Sequence, residues 1–144
     1  MNEISDSTMT RDHRAAYALL RIILGANIAM HGISRLIAGP AQFQTKLVSQ
    51  FEHSALPLSL VWSFGIVLPW VEALFGLLLL VGLRTRAALV GGSVLLLFLT
   101  FGSAMIQDWQ AASTQLLYAA VYAALLFGIR FNGWSLDALM GRRG

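Results

Sequence analysis

The stretch LSLVWSFGIVLPWVEALFGLLLLVGL, residues 58–83, decides the fold. Its 26 residues contain one charged side chain, Glu72. Wound as an α-helix at about 1.5 Å per residue, the stretch exceeds the roughly 30 Å of hydrocarbon in a bilayer. It is far too long for a strand and reads as a membrane-spanning helix.

Working outward, three more apolar blocks of similar length frame it, at about 15–38, 87–106 and 111–129. Of the 144 residues, 57% are hydrophobic and only 12% are charged, which excludes a disordered chain and an ordinary soluble enzyme domain. The expected architecture is an all-α membrane protein, a four-transmembrane-helix bundle forming a single integral domain over residues 1–144. The first span is not expected to be a cleaved signal peptide. Arg21 interrupts its apolar run, His31-Gly32 is unusual in such a segment, and no small-x-small cleavage site follows.

The connections set the arrangement. Arg84-Thr85-Arg86 is so short that the spans on either side must be antiparallel neighbours. Between Pro40 and Pro57, the residues Phe43, Leu47, Val48, Phe51 and Ala55 recur at helical spacing among polar ones. This predicts an amphipathic helix over about 41–55 lying in the interface, with a loop carrying incidental Phe residues as the alternative. Asn132-Gly133 ends the fourth span, leaving Trp134, Leu136, Leu139 and Met140 for the opposite interface. One side of the membrane collects Arg11, Arg14, Arg84, Arg86, Arg130, Arg142 and Arg143, whereas the other has Arg35 and Lys46 with Glu52 and Asp108. That asymmetry predicts an inner-membrane protein with both termini cytoplasmic.

The chemistry available is narrow. With 0 Cys, the chain has no thiol nucleophile, disulfide or thiolate ligand for an iron-sulfur cluster. The net charge is +3, but its basic residues stand singly or in pairs at span ends, which is not a nucleic-acid patch. No metal site is expected, because His13, His31 and His53 fall in a tail, a span and a loop. There is no Ser-His-Asp set, phosphate loop or dinucleotide fingerprint.

Stripes of small and polar residues mark the helix faces that meet in lipid. They are Gly65, Pro69, Glu72 and Gly76 in the second span, and Ser93, Thr100, Ser103 and Gln107 in the third. The fourth span has two opposed faces, Ala120, Ala124 and Gly128 for packing, and Gln115, Tyr118 and Tyr122. In the first span Arg21, Gly25, Gly32 and Arg35 share a narrow sector with His31 at its edge. Arg21 and Glu72 should lie at depths of about 9 and 16 Å from the same surface, close enough for long side chains to form an ion pair. That pair either staples the bundle or serves a proton or ligand site. His31 and Tyr118 should both lie about 10 Å below the opposite surface and line one cavity. The binding or proton-carrying candidates are therefore Arg21, His31, Glu72 and Tyr118, with Arg35, Gln107, Gln115 and Tyr122 as secondary polar lining.

Leu20-Arg21 with Gly25, His31-Gly32-Ile33-Ser34-Arg35-Leu36, and Glu72 followed by Gly76, Leu78-Leu79-Leu80, Gly82-Leu83 and Thr85-Arg86 together resemble the DoxX family of small four-helix membrane proteins. That family includes relatives of the membrane subunit of thiosulfate:quinone oxidoreductase. The similarity covers about residues 15–106, with Arg35 where the family usually has Lys. The resemblance implies a membrane component of a redox or oxidative-stress system that contacts quinone and couples a partner oxidoreductase to the membrane pool. Any enzymatic role would be as a subunit of a quinone-linked oxidoreductase, with His31, Tyr118 or Arg21 donating to quinone oxygens. The alternatives are a non-catalytic scaffold or stress-response protein and, less favoured, a small transporter. A second copy of the chain is a partner that the sequence leaves open.

Overall fold

A computed structural model describes residues 2–141, with side chains from Thr8 onward. It is all-helical among the described residues. Its elements are α1 (Asn2–Ala38), α2 (Pro40–Gln50), α3 (Leu58–Val81), α4 (Thr85–Met105), α5 (Trp109–Phe127), a 3-10 turn (Ile129–Phe131) and α6 (Leu136–Leu139). α1, α3, α4 and α5 are each long and apolar enough to cross a membrane, making this a multi-pass membrane protein.

Several boundaries depart from the sequence expectation. α1 begins well before Ala15, because neither Gly nor Pro occurs ahead of Gly25 to stop it. α2 ends at Gln50, short of Ala55. Phe51 caps it and Ser54 turns the chain by donating its hydroxyl to the Phe51 carbonyl at 2.8 Å. α5 stops at Phe127 and tightens into the 3-10 turn before Asn132-Gly133 is reached. Arg142 and Arg143, counted in the charge asymmetry, lie outside the described residues.

The bundle is built from two close pairs. In α1 against α3, Gly25 lies on the Gly76 and Leu80 backbone, Gly32 on Pro69 and Ala73, and Gly76 on Ala29. A Cβ on any of these glycines would run into the opposite backbone, so this contact is as close as two helices come. In α4 against α5, the buried Tyr122 ring fills the space over Gly92, and Gln115 Nε2 donates to Ser103 Oγ at 3.0 Å. The pairs share a core of Tyr17, Leu24, Ile28, Leu79, Ala88, Leu89, Leu96, Tyr122 and Leu125.

The face of α5 that packs inward is the Tyr face, which corrects the assignment of Ala120 and Ala124 to packing. Both alanines are exposed. An aromatic ring opposite a glycine fills space that small residues on both helices would leave empty.

α2 lies across the end of the bundle far from the termini. Its Leu47 packs on Gly65, its Gln44 side chain donates to the Trp62 carbonyl at 3.1 Å, and Phe51 is buried near Gly102. Gln42, Thr45, Lys46 and Ser49 form its exposed polar face.

Candidate functional site

The glycine contacts fix the register of α1 on α3, and that register decides which charges meet. Beyond Gly32, α1 carries Arg35 alongside the half of α3 that holds Glu72. Arg21, midway along α1, lies beside the C-terminus of α3. The ion pair in the bundle is accordingly Arg35 with Glu72, formed between Arg35 Nη1 and Glu72 Oε2. The Glu72 side chain is 8% exposed and that of Arg35 is 27% exposed. On its other side the Arg35 guanidinium stacks on Phe43 of α2, 4.5 Å from the ring centre. One arginine thus ties α1, α2 and α3 together. His31 and Tyr122 are the further titratable side chains within electrostatic reach of Glu72.

The expected Arg21 to Glu72 pair is not formed. Arg21 is 2% exposed and instead donates from Nη1 to the carbonyls of Leu79 and Leu80, the latter at 3.1 Å, and from Nη2 to that of Trp134 at 2.8 Å. The last carbonyls of α3 form the negative end of the helix dipole, which favours a cation there.

Around Arg21 lies a polar cluster that sequence reasoning missed. Asp137, 1% exposed, accepts from the backbone N–H groups of Arg84 and Thr85 at 2.7 Å each and thereby caps α4. Its own N–H donates to the Gly82 carbonyl at 2.9 Å. Asn132 Nδ2 donates to Thr85 Oγ1 at 3.0 Å, and Ser135 Oγ caps α6 by accepting from Ala138 N–H at 3.2 Å. The one available signal was a lone acid in a basic and apolar tail, two residues after a serine able to cap a helix.

The remaining candidates are dispersed. His31 is exposed on α1, whereas Tyr118 is half-buried against the core from α5. Gln107 is exposed in the turn after α4, with φ +58, and Gln115 is occupied with Ser103. Among the described residues no group of three His, Cys, Asp or Glu side chains is placed to hold a metal ion. What is brought together is a buried carboxylate, its arginine, an exposed imidazole and a buried phenol. That set can hold charge and position helices, and it contains no thiol or ligand cluster for an electron carrier.

Comparison with known proteins identifies the family. No curated protein and no solved structure matches the chain. The family described as methylamine utilisation protein MauE matches residues 13–116, from α1 into α5. The matched segment contains Arg21, His31, Arg35 and Glu72 and excludes Tyr118, Tyr122 and Asp137. This corrects the DoxX assignment, which rested on short polar motifs within two helices. Such motifs recur wherever helices pack closely around a few charges in lipid. Spanning well over half of its length, the match shows that the chain belongs to the MauE family.

Proposed function

We propose that this protein is a membrane-embedded component of a methylamine-oxidising redox system that positions a partner and does not itself carry electrons. Releasing nitrogen from methylamine by oxidation turns one methylamine and one water into formaldehyde, ammonia, two protons and two electrons, so a carrier must take the electrons. That this chain brings no cysteine and, among its described residues, no ligand cluster supports a carrier held by a partner. The family description supports the substrate system.

The observation that carries the positioning role is Arg35 bridging Glu72 of α3 and Phe43 of α2. It fixes the interfacial helix on the bundle and presents Gln42, Thr45, Lys46 and Ser49, which border a shallow hollow, as the surface a partner would meet. The test is growth on methylamine as sole nitrogen source in the source cell. Deletion of the gene should abolish growth on methylamine and leave growth on ammonium intact. Wild type should restore it, and a well-inserted Lys46→Glu/Ser49→Glu variant should not. Normal growth of the deletion strain on methylamine would overturn the reading.

A further inference from the structure

The end of the bundle that carries the termini holds a basic cluster outside the Arg35 and Glu72 neighbourhood. His13 of α1 packs on Phe131 of the 3-10 turn, with ring centres 4.9 Å apart and planes tilted by 35°. The Arg130 guanidinium lies 4.7 Å from the centre of the same Phe131 ring. The Arg14 side chain runs across Gly133, its Cδ and Nε at 3.0 and 3.3 Å from where a Cβ on Gly133 would stand. Phe131 and Gly133 therefore gather His13, Arg14 and Arg130 from two segments far apart in sequence.

All three basic side chains are exposed, and among the described residues none is in an ion pair. Among the residues whose side chains are described, the acids at this end are Asp12, exposed on α1, and Asp137, which is turned into the bundle to cap α4; Glu3 and Asp6 also belong to the first turns of α1. Phe127, 88% exposed at the end of α5, adds apolar surface one helical turn before Arg130 and Phe131.

We propose that this cluster binds the phosphate headgroup of an anionic phospholipid. A basic pocket between spans at the membrane surface suits such a headgroup, and guanidinium groups contact phosphate oxygens in a planar fork. Arg14 and Arg130 hold the phosphate, His13 donates at its edge, and the acyl chains lie along Phe127. Arg84 and Arg86, at the junction of α3 and α4, add general attraction without being part of the cluster. The inference does not depend on the redox reading.

The test is titration of phosphatidylglycerol, or of phosphatidylcholine as the neutral control, into the full-length protein in a neutral detergent. Retained lipid is counted by native mass spectrometry and thermal stability is followed in parallel. The expected result is tighter retention of phosphatidylglycerol. Arg14→Gln/Arg130→Gln should weaken it about thirtyfold, from the usual contribution of a basic side chain near an anionic surface. Arg84→Gln/Arg86→Gln should weaken it several times less. Equal retention of the two lipids by the wild type overturns the proposal without any variant. Equal losses in the two double variants also overturn it, by showing diffuse attraction with no discrete site. Inorganic phosphate stabilising the protein as strongly as the lipid would mean a soluble-anion site, and the lipid assignment would fall.

Discussion

Replacing Glu72 by Ala tests the register of the bundle as well as the pair. Two unit charges at about 4 Å attract by roughly 4 kcal/mol at the effective dielectric of about 20 that describes most protein sites. Breaking a fully buried pair by removing one partner costs about 3 to 5 kcal/mol, mostly because the other charge is stranded. Here the stranded group is Arg35, whose side chain is 27% exposed and already stacked on Phe43 near the end of α1. It can extend toward the interface when its carboxylate is removed, which lowers the expected cost of Glu72→Ala to about 2 to 3 kcal/mol. Arg35→Met alone leaves the carboxylate, 8% exposed, in apolar surroundings and should cost at least as much. The double variant Glu72→Ala/Arg35→Met should be more stable than the sum of the single losses allows, with a coupling of about 1 to 2 kcal/mol. Reversible unfolding in mixed micelles, read by circular dichroism, gives all four corners of the cycle. The same cycle run with Arg21→Met should be additive within about 0.5 kcal/mol, because Arg21 donates to carbonyls of α3 and of Trp134 and not to Glu72. Additivity in the Arg35 cycle, or coupling in the Arg21 cycle, would refute the register.

Two more outcomes can be measured. Asp137→Ala removes both acceptors of the Arg84 and Thr85 amides and should cost about 2 to 4 kcal/mol in the same assay, whereas Asp137→Asn should recover part of that through its remaining carbonyl; a loss under 0.5 kcal/mol would mean that water replaces the cap. Reporters fused within the connection at Arg84 to Arg86 should show the cytoplasm and those between Gln42 and Ser49 the outer compartment, and the reverse pattern in a correctly inserted protein would invert the proposed topology.

The four spans were legible because each is a long apolar block whose ends carry polar or turn residues, and the amphipathic period between Pro40 and Pro57 located α2. Which residues meet was less legible. Depths counted from apparent span ends put Arg21 and Glu72 within side-chain reach. The true register is set by backbone contacts at Gly25, Gly32 and Gly76, which composition shows as close packing but cannot align. The inward face of α5 was misread for a related reason. A small residue can pack or simply face lipid, and the partner that settles the choice, Gly92 under Tyr122, lies on another helix. Asp137 escaped notice because a residue outside the spans is read as solvated unless its tertiary partners are known, and those partners are backbone amides without a sequence signature.

The capping of α4 by Asp137 also has a consequence for biosynthesis. The amides of Arg84 and Thr85 leave the ribosome 53 and 52 residues before the carboxylate that satisfies them. At about 5 to 20 residues per second, that interval is roughly 3 to 10 s. During it the start of α4 must rely on water, headgroups or the insertion machinery. The carbonyl of Trp134, which takes one of the bonds of Arg21, arrives almost as late. The hairpin of α3 and α4 is therefore synthesised well before the residues that lock it. A nascent chain halted before residue 132 would present four inserted spans to the cell's quality control with their membrane-surface junction still open.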